Sequence, residues 1–438
     1  MTSMAASGQR DVKWIDGLRG ISSIVVVTAH ICRSLAPYYL SPATAENQSS
    51  LLFQLPFLRL LIMGRSSVAT FGILTGYVAS MKPIKQARAG MTDQALSNIA
   101  KTAFRRTGRF VFPSIIATTI TWLCCELGAF RIAMHVESDW IRDTSPEPSS
   151  SFAGAFWGLF ENLLSTWVSG RNQYDPIQWT LTYLLKGSMM TYLTLFATIY
   201  VKPRSRILIL CGLYAFMYMC QDALIGIHVF TGILMVELVS DPSIQQYAED
   251  HPILRTLTSS TLIVVGLFFC SYPEENVAWA WWSRSLVRLG TIIFPGECEM
   301  SRFFPGLGAD LFFTGVVFSP PLHEILSLPL LTFLGRLSWP VYLIHGPLMR
   351  TVLTWMLYGV SVPGQIHGKD VDGHDLPPVR LQLANAWICL FAIPLFYLFL
   401  YRVAHLWSLY VDPWCGRATR WLEDCMFQDD AKMESLFS

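Results

Sequence analysis

Apolar runs long enough to cross a bilayer recur along this chain, and a soluble fold has nowhere to put so many of them. A helix needs about 20 mainly apolar residues to traverse the hydrocarbon. Runs at or near that length fall at 20–38, 63–80, 110–130, 178–201, 206–220, 223–239, 255–271, 303–319, 333–358 and 383–406. Those at 206–220 and 303–319 are short. The pattern predicts an all-α, polytopic membrane helix bundle with about ten transmembrane helices. Charge supports it: 14% of residues are charged, against roughly 25% in soluble domains, and mean hydropathy is +0.40. The net charge of +1 gives no field to attract nucleic acid.

The expected division is a cytoplasmic N-terminal segment (1–19), a transmembrane domain (20–406) and a cytoplasmic C-terminal tail (407–438), of which Glu423 to Ser438 is the polar end. Basic loop residues mark the cytoplasmic side. Lys82, Lys85, Arg88, Lys101, Arg105, Arg106 and Arg109 lie between the second and third runs with one acid, Asp93. Between the third and fourth lie Glu137, Asp139, Asp143, Glu147, Glu161 and Asp175, with few bases. Both termini are therefore expected in the cytoplasm of an endomembrane protein, with 131–176 on the other side. The first run follows a polar stretch and lacks a small-residue cleavage site, so it reads as an uncleaved span. Segment 152–168 has helical spacing with polar flanks and is expected to lie on the interface. Leu51–Met63 either does the same or lengthens the second span. Trp279, Trp281 and Trp282 read as headgroup-level anchors. Cys124, Cys125, Cys211 and Cys220 sit in apolar runs and read as small buried hydrophobes. No cysteine has metal-ligand spacing, so no metal is expected.

Chemistry enters through ionisable groups at membrane depth, which are costly and mark functional sites. Arg19 stands at the edge of the first run and His30 inside it. Ten residues separate them, which places His30 about 16 Å deeper on a helix, near mid-bilayer. Arg336 and His345 repeat the arrangement in the ninth run, with His345 about 14 Å deep. A lone intramembrane His otherwise packs and hydrogen-bonds a neighbouring helix; that reading is preferred for His228 and for Glu237. Arg105, Arg106 and Arg109 precede the third run. Positive-inside topology accounts for part of this cluster. Arginines three apart also share a helix face, and their planar forks suit phosphate oxygens. A donor with several phosphates and a thin reactive arm, such as a phosphopantetheine thioester, fits cations at the surface and a base below them.

These residues resemble the membrane acyltransferase 3 family, in a fungal-type form. Asp16-Gly17-Leu18-Arg19-Gly20 through His30 is similar to its first-span motif, and Phe71 through Val78 to its second. Arg106-x-x-Arg109 followed by Pro113 resembles its paired arginines. Gln178-Trp179-Thr180-Leu181 through Met189 resembles its fourth-span motif, and Leu334 through Pro347 its ninth. The likeness covers residues 12 to 406. One departure stands out: five residues beyond Trp179 the family commonly carries a carboxylate, and this chain has Leu184. Asp16 and Glu237 are the candidate substitutes.

The resemblance implies O-acyl transfer, usually of acetyl, from acyl-CoA as co-substrate to a hydroxyl, with no bound cofactor. It implies His30 as general base, or as a transiently acylated nucleophile. Arg19, Arg105, Arg106 and Arg109 would hold the CoA phosphates. His345 and Tyr342 would line the pocket or stabilise the oxyanion, and Asp16 and Trp179 would orient groups in it. The expected partners are acyl-CoA, the bilayer and a small hydrophobic hydroxyl acceptor such as a terpenoid or polyketide, because no soluble domain is appended to read a polymer. The rival readings are a proton-coupled transporter using His30, Glu237 and His345, disfavoured by the lack of an internal repeat, and an inactive relative.

Overall fold

The computed structural model describes residues 2–362, 364 and 378–427, with backbone alone for 2–12. The end of the expected tail, 428–438, lies outside the described residues. Most of the described residues are helical, joined by turns and irregular loops, and no strand forms among them; one isolated bridge links Val136 and Leu381. In chain order the helices are α1 (Thr2–Leu35), α2 (Gly64–Arg88), α3 (Thr92–Glu126), α4 (Asp139–Thr144), α5 (Phe152–Val168), α6 (Thr180–Thr198), α7 (Pro203–Met219), α8 (Gly226–Val239) and α9 (Pro242–Asp250). There follow α10 (Pro252–Cys270), α11 (Trp281–Ile293), α12 (Met300–Val317), α13 (Pro320–Leu326), α14 (Pro329–Arg336), α15 (Ser338–Leu348), α16 (Thr354–Tyr358) and α17 (Ala386–Met426). A π-helical turn, Met349–Leu353, joins α15 to α16.

Four helices are long and apolar enough to cross a membrane: Lys13–Leu35 of α1, α3, α10 and α17. Counting α8 with α9 and α12 with α13 as single bent spans raises this to six. The expected ten is not reached on that measure, and α2 shows why. Its Ser67, Thr70, Thr75 and Ser80 are buried, and the two threonines return their hydroxyls to carbonyls one turn back, Ser66 and Phe71, at 2.9 and 2.8 Å. Polar groups used inside the bundle lower a helix's hydropathy without meeting lipid. The 333–358 run is not one helix. Pro340, in the first turn of α15, lacks the N–H that would continue α14, and the π turn interrupts it again.

Small residues set the closest helix contacts, as expected where apolar side chains alone give no preference between lipid and protein. A Cβ at Gly335 of α14 would lie 1.8 Å from the Asp16 carbonyl oxygen of α1, and one at Gly17 would lie 1.7 Å from that of Leu326. On the other side, a Cβ at Gly76 of α2 would lie 2.2 Å from the Val229 oxygen of α8. Buried polar pairs tie further helices. Glu237 of α8 accepts from Arg88 of α2 at 2.8 Å and from Arg206 of α7. His228 pairs with Asp310 of α12 at 3.0 Å and with the Ala223 carbonyl. Both groups are interhelical ties, as expected.

Other expectations change. Cys125 is buried, but Cys211 and Cys220 are exposed on and just after α7, whose outer face meets no other helix there. Leu51–Met63 does not lengthen α2: it forms two 3₁₀ turns that end before Gly64. Trp281 is exposed, whereas Trp282 is buried beneath Arg59, with 5.6 Å between guanidinium and ring centroid. Segment 152–168 is helix α5, with Phe152, Trp157 and Phe160 exposed and Ala155, Asn162 and Thr166 buried.

Gly335→Val is expected to destabilise the protein by about 1–3 kcal/mol or more through overpacking, read as a lower melting temperature in detergent. Gly212→Val, where a Cβ meets nothing within 4 Å, should leave it unchanged.

Candidate active site

One face of α1 supplies a wall of the main cavity, which has a volume of about 690 Å³. Asp16, Arg19, Ser23, Val26, His30 and Arg33 line it; steps of three and four residues keep them in register along a helix. From Asp16 to Arg33 this wall runs about 26 Å, close to the ~30 Å hydrocarbon thickness of a bilayer. The cavity has a charged group at each end and the histidines between them.

At one end, Arg19 pairs with Asp16 at 3.1 Å. Arg106 and Arg109 of α3 and Arg336 of α14 line the same cavity. Arg106 donates to Ser188 Oγ at 3.3 Å and its guanidinium lies 4.7 Å from the Phe110 ring centre. The α1–α14 glycine contact is what brings Arg19 beside Arg336. Arg105 is not part of this group. One residue of offset turns a helical side chain by about 100°, and Arg105 instead donates to Glu423 of α17 at 2.6 Å.

Between the ends, the rings of His30 and His345 lie 5.4 Å apart, and Trp140 lies 5.5 Å from His30. His345 Nδ1 is 2.9 Å from the carbonyl oxygens of both Val341 and Tyr342. Both are acceptors, so Nδ1 carries the proton and Nε2 keeps its lone pair. That Nε2 is buried with no hydrogen-bond partner among the described residues, and so is His30 Nδ1. Two unsatisfied imidazole nitrogens in one cavity are costly unless a ligand meets them. Tyr342 accepts from Thr180 at 2.8 Å and donates to the Ile177 carbonyl at 3.1 Å, fastening α15 to the start of α6. Trp179 lines the cavity, and so does Leu184. The position of the family carboxylate thus faces the site and is apolar here. Of the two candidate substitutes, Asp16 is in the cavity beside Arg19, while Glu237 is locked between Arg88 and Arg206 and does not line it.

His30 lies five residues before α1 ends at Leu35. It is therefore nearer the far end of the cavity than the middle. One turn on, Arg33 pairs with Glu274, which also meets Arg65 Nε at 3.3 Å; Arg302 completes this end.

Sequence reasoning missed a buried pair behind His345. Arg350, in the π turn, donates to Asp175 Oδ1 and to the Tyr174 carbonyl, each at 3.0 Å, to the Gly346 carbonyl at 3.1 Å, and to the Thr144 carbonyl. Gly346 has no room for a side chain: a Cβ would lie 2.5 Å from Asp175 Oδ1. The available signal was an arginine inside the ninth apolar run, five residues past a histidine. Arg33, three residues past His30, was legible in the same way.

A mainly helical chain with several helices apt to span a membrane, built around an arginine-flanked histidine cavity, defines a narrow class. A sequence model of acyltransferase family 3, described as an acyltransferase domain, matches residues 12–396. The chain belongs to that family. It is 27% identical over 372 residues to the O-acetyltransferase PaAT-1 of Phomopsis amygdali, covering 77% of this chain and 72% of that one. It is 23% identical over 390 residues to acyltransferase R4 of Phoma sp. (76% and 81% covered). It is 22% identical over 394 residues to acyltransferase clz18 of Cochliobolus lunatus (76% and 81%). No solved structure matches the chain.

Asp175→Ala or Arg350→Ala alone should cost roughly 3–5 kcal/mol, because each leaves an uncompensated buried charge. The double variant should lose less than the sum. Thermal unfolding of the four proteins in detergent gives the comparison.

Proposed function

We propose that this protein is a membrane O-acyltransferase that moves an acyl group, acetyl by preference, from acyl-CoA to a hydroxyl of a small hydrophobic metabolite such as a terpenoid or polyketide. The observation that carries the reading is the pair of imidazoles, His30 and His345, with unpartnered nitrogens in one cavity whose end is built from Arg19, Arg106, Arg109 and Arg336. Membership of the family and likeness to a named O-acetyltransferase support it.

In this mechanism the four arginines hold the phosphates of CoA, and the pantetheine arm extends along the α1 face. Binding energy at the phosphates fixes the thioester near the histidines and supplies orientation. The acceptor oxygen attacks the thioester carbonyl while His30 takes the hydroxyl proton. The C–S bond then breaks, and the proton passes from His30 to the departing CoA sulfur. His345 Nε2 faces the same space and shares the proton-handling role. The apolar wall, including Leu184, keeps water from the thioester. Charge bias places the N-terminus, the Arg19 end and the C-terminal tail in the cytoplasm. The helices α2, α6, α7 and α15 then join the six candidate spans to make about ten crossings of an endomembrane.

Acetyl-CoA binding to the detergent-purified protein tests the donor site. Arg106→Ala with Arg109→Ala should weaken binding by about tenfold or more, since each charged hydrogen bond contributes roughly 1.5–3 kcal/mol. His30→Ala should leave affinity within a few-fold and lower turnover by about 10²–10⁴-fold. A folded wild-type protein that binds no acyl-CoA of any chain length would sink the reading and favour a transporter or an inactive relative.

A further inference from the structure

The end of the cavity away from Arg19 carries a charge excess that acyl transfer from CoA does not use. Three guanidinium groups line it, Arg33 of α1, Arg65 of α2 and Arg302 of α12, against one carboxylate, Glu274. Glu274 is 7% exposed and already engaged by Arg33 and by Arg65. Arg65 also donates to Glu299 at 2.7 Å and to Ser301 at 2.6 Å. Arg302 meets Glu299 through Nε at 2.6 Å, which leaves its two terminal amines without a hydrogen-bond partner among the described residues. Glu299 does not line the cavity and is half exposed. Behind this wall Arg59 is fully buried and donates to the Gln54 and Leu40 carbonyls, with no ion pair among the described residues. Counting Arg59, four cations therefore stand against two carboxylates. Arg33, Arg65 and Arg302 are about a third exposed and Arg59 is buried. Guanidinium groups in excess of their counter-ions and partly withdrawn from water attract an anion, and a planar guanidinium fork is the side chain best matched to a carboxylate or phosphate.

We propose that this end is an anion-recognition site for the acceptor. Its ligand is an amphiphile with an apolar body, a hydroxyl and a carboxylate or phosphate group. The assignment of that ligand as acceptor rests on the acyl-transfer reading. Geometry sets the spacing: Arg33 is three residues beyond His30, about 4.5 Å of helix rise, so an anion held at Arg33, Arg65 and Arg302 leaves the adjoining part of the molecule at the histidines. The two phosphate- or carboxylate-binding ends then fix donor and acceptor from opposite directions, with the reacting atoms between them.

Native mass spectrometry of the full chain in nanodiscs can measure this with 3-hydroxydodecanoate, its methyl ester and dodecyl phosphate as probes, and acetyl-CoA titrated separately. The acid is expected to bind at least about tenfold tighter than the ester. Arg65→Gln and Arg302→Gln, both at partly exposed residues, should remove that preference while acetyl-CoA affinity stays put. Glu274→Gln, which frees two guanidiniums, should tighten acid binding, an effect that a purely structural ion-pair cluster would not produce. A preference for dodecyl phosphate over the acid also supports the site and identifies phosphate as its anion. Equal binding of acid and ester, or a preference untouched by the arginine variants, overturns the proposal. So does loss of acetyl-CoA affinity in Arg65→Gln or Arg302→Gln, which would assign this end to the donor. Failure of acetyl-CoA to bind wild-type protein, with arginine-dependent acid binding intact, would instead overturn the acyl-transfer reading and leave the anion site standing.

Discussion

The site depends on how closely α1 can approach α14. Backbone meets backbone there, with no side chain between Gly335 and the Asp16 carbonyl or between Gly20 and that of Leu331. α1 carries Arg19 and His30; α14 ends at Arg336 and leads directly into α15 with His345. Seating α14 against α1 therefore sets the separation of the arginines at one end and of the histidines beyond them. A methyl group in that contact would have to push the helices apart, and packed helices have little slack to absorb it.

Charge is distributed by a simple economy. Away from the cavity several buried ionic groups are matched, Glu237 with Arg88 and Arg206, Asp175 with Arg350 and Asp310 with His228, while Arg59 is held by backbone carbonyls. Such pairs are structural, since desolvation leaves them little net stabilisation while loss of either partner is severe. Within the cavity the matching is incomplete: Asp16 engages Arg19, and Glu274 engages Arg33 and Arg65. Among the described residues Arg106, Arg109 and Arg336 have no carboxylate partner, and two imidazole nitrogens have no hydrogen-bond partner. Unsatisfied buried groups also occur outside the cavity, Trp282 Nε1 and the Tyr401 hydroxyl among them, so what distinguishes the cavity is that two such imidazoles share it with unpaired arginines.

The departure at Leu184 has a counterpart in the structure. Its side chain faces the cavity, so the family carboxylate would have stood beside the reacting groups. Asp175, four residues before Trp179, is turned away from that space and holds Arg350 and the π turn behind His345. It steadies the helix that presents the histidine and does not replace a carboxylate in the pocket. An apolar residue at 184 is consistent with a hydrophobic acceptor surface there.

The sequence alone determined the helical, membrane-type character, because apolar runs and sparse charge depend only on local composition. It also determined that Arg19, Arg106, Arg109, His30 and His345 deserved grouping, since ionisable residues in apolar helices stand out and helical rise converts spacing into depth. Helix count was less legible, because a helix such as α2 that is packed inside the protein carries buried serine and threonine, which lower its hydropathy. Which arginine of Arg105 and Arg106 enters the cavity, the tautomer of His345, the Asp175–Arg350 pair and the second cluster of cations around Glu274 were decided by tertiary structure. Each depends on groups from helices far apart in sequence, and on a rotation about a helix axis that only packing against a neighbour can fix.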